Sequence, residues 1–385
     1  MSFLKFHIWP ALLALLPLGL LWYADAIPKG PIRADEFICS DDSMSAHYAN
    51  FDTVPAGVLP LLRALKSTNC VVLLGSSVLS SSSQYLPCNF FEFNGGTQVR
   101  AFGHAYFQSF SMYCALLSLR EFLQDSKICI IVSPGWFETK GTNSQAFVEF
   151  VRPEMLANIA HDREISDDYK YYIGDYLMRI KSDLSGITPA MEYFQLRSSS
   201  FPLREFRSDI LLRQIPTYSY CDDSLNLGAV SSLPRDYNWE DMNEILISKF
   251  DSVCSNDFSV EDSRFNSMTN GTNLYTPQRV KFIRAEENQE FHDFKILLRM
   301  LHEYGARPTF VIQPLNPYVY NDLSSFQDIL NQLLSECKKY SFQCLNLYET
   351  EKTRYTSGIL NDGMHMGDVG WNRVNEFINL TMMHE

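Results

Sequence analysis

Two short stretches of this 385-residue chain hold the side chains that nucleophilic acyl chemistry needs. The first is Leu73-Leu74-Gly75-Ser76-Ser77-Val78-Leu79, and the second is Asp362-Gly363-Met364-His365. A serine hydroxyl is a poor nucleophile until a base removes its proton, and an imidazole is a useful base only when a third group holds one tautomer. Asp362, three positions before His365, lies within one turn of it and can reach the far ring nitrogen. A strand ending in Gly, followed by Ser and a helix, presents a hydroxyl at the carboxyl edge of a sheet. There a helix amino terminus and free backbone N–H groups can stabilise an oxyanion. Each piece taken singly is common; a Gly-Ser-Ser is usually only a turn. The signal is their order, with serine after the first strand of the pattern and Asp and His after the last.

The elements that would position these groups follow from hydrophobic spacing. Residues 70–74 are a continuous apolar run closed by Gly75, which predicts a strand buried on both faces. Residues 99–103 and 128–132 read as further short strands, the latter closed by Ser133-Pro134-Gly135-Trp136-Phe137. Between them, residues 106–122 place apolar side chains at three-and-four spacing, hence a helix. The alternation returns with a helix at 287–303, a strand at 307–313, a helix at 326–340 and a strand at 342–347. The loop carrying Asp362 and His365 comes next, then a terminal helix at 369–383. Such alternation predicts an α/β protein, a three-layer α/β/α sandwich around a parallel sheet. It occupies 69–385, preceded at 27–68 by a linker and a first helix around Leu59 to Leu65. Residues 140–260 are richer in charge and aromatics and lack clear buried strands, which predicts a helical insertion. Its arginines Arg197, Arg204, Arg207 and Arg213 read as a solvated helix face, or as the local surface best suited to anions.

The amino terminus predicts the compartment. Residues 7–24 carry no charged side chain and follow Lys5, a run just long enough to cross a bilayer as a helix. Pro10 and Pro17 are tolerated in such helices, and Trp22 with Tyr23 marks an interfacial belt. Ala24-Asp25-Ala26 also has the form of a signal cleavage site, so residues 1–26 are an uncleaved anchor or a removed leader. In both cases the rest is expected outside the cytoplasm, on the periplasmic or cell-wall side. The formal net charge of −13 argues against general nucleic-acid binding. None of the nine cysteines forms a C-x-x-C pair, which disfavours a zinc ribbon or a thioredoxin motif. Cys337 with Cys344 is the first candidate disulfide and Cys221 with Cys254 a weaker one, whereas Cys114 and Cys129 sit in apolar runs and read as core.

Several blocks carry a resemblance: the amino-terminal anchor, LLGSSVL, FGHAYFQSF, IIVSPGWF, VIQPLNPYVY and DGMHMGDVGW. Together they resemble the SGNH (GDSL-like) hydrolase superfamily and, within it, the DltD family of D-alanyl transfer proteins. The resemblance makes Ser77 the nucleophile, His365 the general base and Asp362 its orienter. Ser76, Gly103, His104, Gly135 and Trp136 are the further candidates around the oxyanion or substrate, with the backbone N–H of Ser77 and of Gly103 or a neighbour as candidate oxyanion donors; His104 reads equally as a structural histidine. Two positions depart from the family pattern: Val78 stands where Glu is usual, and Gly135 where Gln is usual. The activity implied is transfer of D-alanyl onto hydroxyls of a cell-envelope polymer such as teichoic acid. The implied partners are a membrane-bound O-acyltransferase of the DltB type and an acyl carrier protein; no cofactor or metal is implied. The same triad would also serve an esterase or thioesterase, and the same fold a non-catalytic envelope scaffold.

Overall fold

Short apolar runs that end in glycine or polar turn residues build the frame of this protein in its computed structural model. The structure describes residues 35–38, 48–49, 58–96, 98–138, 141–142, 144–180, 188–199, 204–220, 237–270 and 275–382. The expected membrane segment at 7–24 lies outside them; among the described residues no helix is long and apolar enough to cross a membrane. The strands are β1 (Asp35–Ile38), β2 (Tyr48–Ala49), β3 (Cys70–Gly75), β4 (Gln98–Gly103), β5 (Lys127–Val132), β6 (Thr217–Tyr220), β7 (Gln278–Arg279), β8 (Arg307–Ile312), β9 (Tyr320–Asn321) and β10 (Gln343–Asn346). The helices begin with α1 (Leu59–Lys66), α2 (Pro87–Asn94), α3 (Ser109–Leu117) and α4 (Ser144–Phe150). Next come α5 (Pro153–His161), α6 (Asp167–Ile180), α7 (Pro189–Arg197) and α8 (Arg204–Leu212). The last are α9 (Trp239–Asp251), α10 (Asp262–Met268), α11 (Gln289–Glu303), α12 (Gln327–Lys339) and α13 (Asp368–Met382).

The chain divides into two compact units, and the larger holds residues 39–152 and 221–385. Its centre is a six-stranded, wholly parallel sheet in the order β10-β8-β5-β3-β4-β2. Every residue of β3 is buried, as a strand covered on both faces must be. Because side chains alternate across a strand, Val71, Leu73, Cys129, Ile131 and Val311 share one face. There they join Phe90 and Phe91 of α2 and Trp371, Val374 and Ile378 of α13 in one core cluster. Phe310 points the other way and meets Phe294 of α11, ring centroids 5.5 Å apart. Helices on both faces of a parallel sheet are consistent with the expected α/β/α sandwich, and each fully buried Leu or Phe side chain contributes about 1.5–3 kcal/mol. Parallel pairing also brings every strand's carboxyl end to one edge, which is where β3, β5 and β8 hand over to loops.

The smaller unit comprises residues 1–38 and 153–220. It is mostly helical, α5 to α8, with β1 paired in parallel to β6. Here two arginines of the arginine-rich stretch are neutralised locally. Arg197 holds Asp167 at 2.6 Å and also Glu205, and Arg207 holds Glu192 at 2.8 Å.

Four sequence expectations need correction. The linker at 27–68 contains strands: β1 and the two-residue β2, which adds an edge to the sheet. Both are too short for a hydrophobic period to reveal. The expected insertion likewise contains β6. The helix expected directly after Ser77 is a single 3-10 turn, Ser77–Leu79, and the next α-helix waits until Pro87. The serine run explains this, since its hydroxyls compete for the backbone. Ser81 Oγ accepts from the Ser83 N–H and Ser83 Oγ from the Tyr85 N–H, while the Ser83 hydroxyl donates to Asp368. Cys337 and Cys344 are free thiols rather than a disulfide, with their sulfurs hydrogen-bonded to each other. Cys254 is also free, and Cys221 lies outside the described residues. Cys114 and Cys129 are fully buried, and burial pushes the Cys129 thiol up to about 12.

Candidate active site

The β3 strand delivers Gly75 to the sheet edge opposite Gly103 of β4. Gly103 has a φ of +151°, and a Cβ there would lie 1.9 Å from the Gly75 carbonyl oxygen. The two backbones therefore touch at the point where the chain leaves for Ser76. Ser76 is buried, and its Oγ accepts a hydrogen bond from Trp136 Nε1 at 3.3 Å. Ser77 is half-buried and opens the 3-10 turn. That turn is closed by Leu79 N–H to Ser76 O and Ser80 N–H to Ser77 O, each 3.0 Å. Neither bond uses the N–H groups of Ser77 and Val78. Val78 and Leu79 are buried in the core cluster and hold the turn down. At position 78 the core takes an aliphatic side chain, and a carboxylate there would be buried.

The second half of the site is the loop between β10 and α13. Asp362 Oδ2 lies 2.9 Å from His365 Nδ1. Its Oδ1 accepts from the backbone N–H of Met364 at 2.9 Å and of His365 at 2.8 Å. One carboxylate thus shapes the loop and orients the ring it carries. With Nδ1 donating to Asp362, Nε2 of the neutral ring is the nitrogen that carries a free lone pair. Burial alone would raise the Asp362 carboxyl, but the bonds from His365 and Met364 outweigh it and hold the group below its usual value. The hydrogen bond to Asp362 raises His365 above its usual 6.5, against opposing contributions from burial and from the Arg264 cation.

This loop is fastened to the end of β8. Gln313, directly after the strand, donates its side-chain amide to Met364 O. The Asn316 N–H donates to Gly363 O at 3.0 Å, and its fully buried amide reaches the carbonyls of Phe258 (3.0 Å), Ser259 (3.2 Å) and Asp362 (3.4 Å). Only β5 separates β3 from β8, so the two anchor points are two strand spacings apart, roughly 10 Å. The turn after β5 fills that gap and carries Trp136, whose indole reaches Ser76.

Of the expected site residues, the structure joins Asp362 to His365 and Trp136 to Ser76, and sets Gly103 against the residue before Ser76. His104 turns elsewhere: its Nδ1 is 3.8 Å from Glu149, and its ring is 6.0 Å from that of Phe150. Gly135 sits in the turn after β5, where a Cβ would make only ordinary contacts at 3.7 and 3.8 Å, so the backbone does not demand glycine there. Gln313 and Asn316 escaped the sequence reading. Their signal was a pair of polar residues in Gln-Pro-Leu-Asn-Pro directly after a buried strand. Tyr320 and Tyr355 were missed too; burial pushes Tyr320 to about 12 and raises Tyr355, and both sense the Asp362 charge. Among the described residues no group of three or more His, Cys, Asp or Glu side chains is placed to hold a metal ion.

A family model described as DltD protein matches residues 61–382. Protein DltD of Bacillus subtilis (strain 168) is 24% identical over 335 residues, which cover 82% of this chain and 83% of that protein.

Proposed function

The chain belongs to the DltD family, and from that premise we propose that it is a membrane-anchored, extracytoplasmic serine acyltransferase. It moves D-alanyl, or a similar small acyl group, onto hydroxyls of a cell-envelope polymer such as teichoic acid. The observation that carries the chemistry is the Asp362–His365 pair, which leaves Nε2 as a base on a loop tied to the end of β8, two strands from the β3 end that leads to Ser77. In the first half-reaction the Ser77 proton passes to His365 Nε2 as Oγ attacks the acyl carbonyl. The N–H groups of Ser77 and Val78 face the oxyanion. Collapse breaks the bond to the donor, which leaves with the proton from His365, and Ser77 holds the acyl group as an ester. In the second half an acceptor hydroxyl gives its proton to His365 and attacks that ester; Ser77 Oγ leaves and regains the proton.

Ser76 plays no nucleophilic part in this scheme, since its buried oxygen is occupied by Trp136. The raised affinity of His365 for a proton makes it an able base once deprotonated. Residues 7–24 hold the domain at the membrane, where an O-acyltransferase of the DltB type and an acyl carrier supply the donor. The side chain of His365 is 45% exposed, which gives water access to the base and favours hydrolysis as a second reading. Turnover of a D-alanyl ester with and without a polyol phosphate acceptor separates the two. Transfer predicts that ester consumption rises with acceptor and that acyl polymer accounts for it; full-rate cleavage without acceptor indicates an esterase.

A further inference from the structure

A phosphate-rich acceptor faces an obstacle in this chain, whose net charge of −13 repels it. In the arginine-rich stretch of the smaller unit, Arg197 and Arg207 already hold carboxylates. Lys249, Arg279 and Arg354 are engaged in the same way. Arg264 differs. It is exposed and holds no carboxylate among the described residues. The acids just before it are occupied: Asp262 accepts from Ser255 and Asn256, and Glu261 from Ser263.

The segment leading into α10 is sewn to the catalytic loop. The Glu261 N–H donates to Asn361 O at 3.0 Å, directly before Asp362. The Asn316 amide ties the carbonyls of Phe258 and Ser259 to that of Asp362. Phe265, next to Arg264, is buried with Val260 and Val319, and Phe258 and Tyr320 pack on this cluster. A helix held at that many points presents Arg264 in a fixed relation to His365.

We propose that Arg264 receives a phosphodiester of the acceptor polymer and so places a neighbouring hydroxyl beside His365. The inference rests on the reading of the protein as an acyltransferase to an envelope polymer. A guanidinium suits the task because its planar fork can grip two phosphate oxygens while remaining charged at any working pH. The position also has an independent signature: the Arg264 cation opposes protonation of His365. Asp362 and Arg264 are the charged groups acting on that ring, and Tyr320 and Tyr355 lie near Asp362 as neutral phenols. An anion bound at Arg264 therefore raises the His365 titration midpoint.

The test is binding of glycerol phosphate oligomers to the full chain in nonionic detergent, followed through the isotope-labelled His365 imidazole. The wild-type protein should bind saturably with an upward shift of the His365 midpoint, and uncharged polyglycerol should leave it unmoved. Arg264→Gln should weaken binding about tenfold and reduce the salt dependence by about one phosphate contact. Arg264→Lys should retain part of the affinity, and Arg163→Gln, an equal loss of charge in the smaller unit, should retain all of it. Unaltered oligomer binding in Arg264→Gln overturns the proposal. So does binding through Arg264 to phosphatidylglycerol vesicles but not to the oligomers, which would assign the residue to a membrane surface. Oligomer binding through Arg264 without any acyl transfer would leave this site standing and overturn the acyltransferase reading instead.

Discussion

Replacing Gly103 by alanine tests the framework that holds the nucleophile turn. The new Cβ would sit 1.9 Å from the Gly75 carbonyl oxygen and 2.8 Å from its carbonyl carbon, both backbone atoms that no rotamer can move aside. The φ of +151° adds strain for any residue with a side chain, of order 1–3 kcal/mol. Relief requires β3 and β4 to separate at their ends by about 1 Å, and a displacement of that size at a catalytic group costs on the order of 100-fold in rate. Since Gly75 leads through one residue to Ser77, the displacement passes directly to the hydroxyl. The assay is the rate of Ser77 labelling by a serine-directed phosphonate, with the melting temperature measured alongside. We expect Gly103→Ala to label about 100-fold more slowly and to melt several degrees lower. Gly135→Ala, whose Cβ meets nothing closer than 3.7 Å, should melt like the wild type. Labelling at the wild-type rate with an unchanged melting temperature in Gly103→Ala would refute the idea that this close approach sets the turn.

Two further substitutions probe the charge and hydrogen-bond logic. The acid limb of kcat/KM should report loss of the His365 proton with a midpoint above 6.5, because the Asp362 bond raises it. Asp362→Asn removes that charge, so the limb should move to lower pH while the rate falls by roughly 10³- to 10⁴-fold; a pH–rate profile showing no downward movement contradicts the assignment. Trp136→Phe leaves the buried Ser76 hydroxyl without its donor and should cost about 1–3 kcal/mol by chemical denaturation. Combined with Ser76→Ala the loss should be less than additive, and strict additivity would show that the pair is not coupled.

Much of the sheet was legible because its strands are buried on both faces and therefore appear as unbroken apolar runs; residues 128–132 differ from the observed β5 by one position. Strands that escaped notice, among them Asp35–Ile38, Tyr48–Ala49 and Thr217–Tyr220, owe their pairing to neighbours distant in sequence rather than to any pattern of their own. Asp362 and His365 were readable as a pair because their bond is local, closed within a single turn. Gln313, Asn316 and Arg264 were not, since the contacts that matter for them join segments about 50 to 100 positions apart, which only the fold can bring together. The extra helix expected after Ser77 failed for a local reason that the serine run itself contains. The arginine stretch looked available because its partners, Asp167 and Glu192, come from other positions in the helical unit.

Intact-mass analysis of the full chain after exposure to a serine-directed phosphonate, with peptide mapping of the modified site, tests the nucleophile directly. The account predicts one adduct on Ser77, kept in Ser76→Ala and lost in both Ser77→Ala and His365→Ala. An adduct on Ser76, or undiminished labelling in Ser77→Ala or His365→Ala, would contradict it.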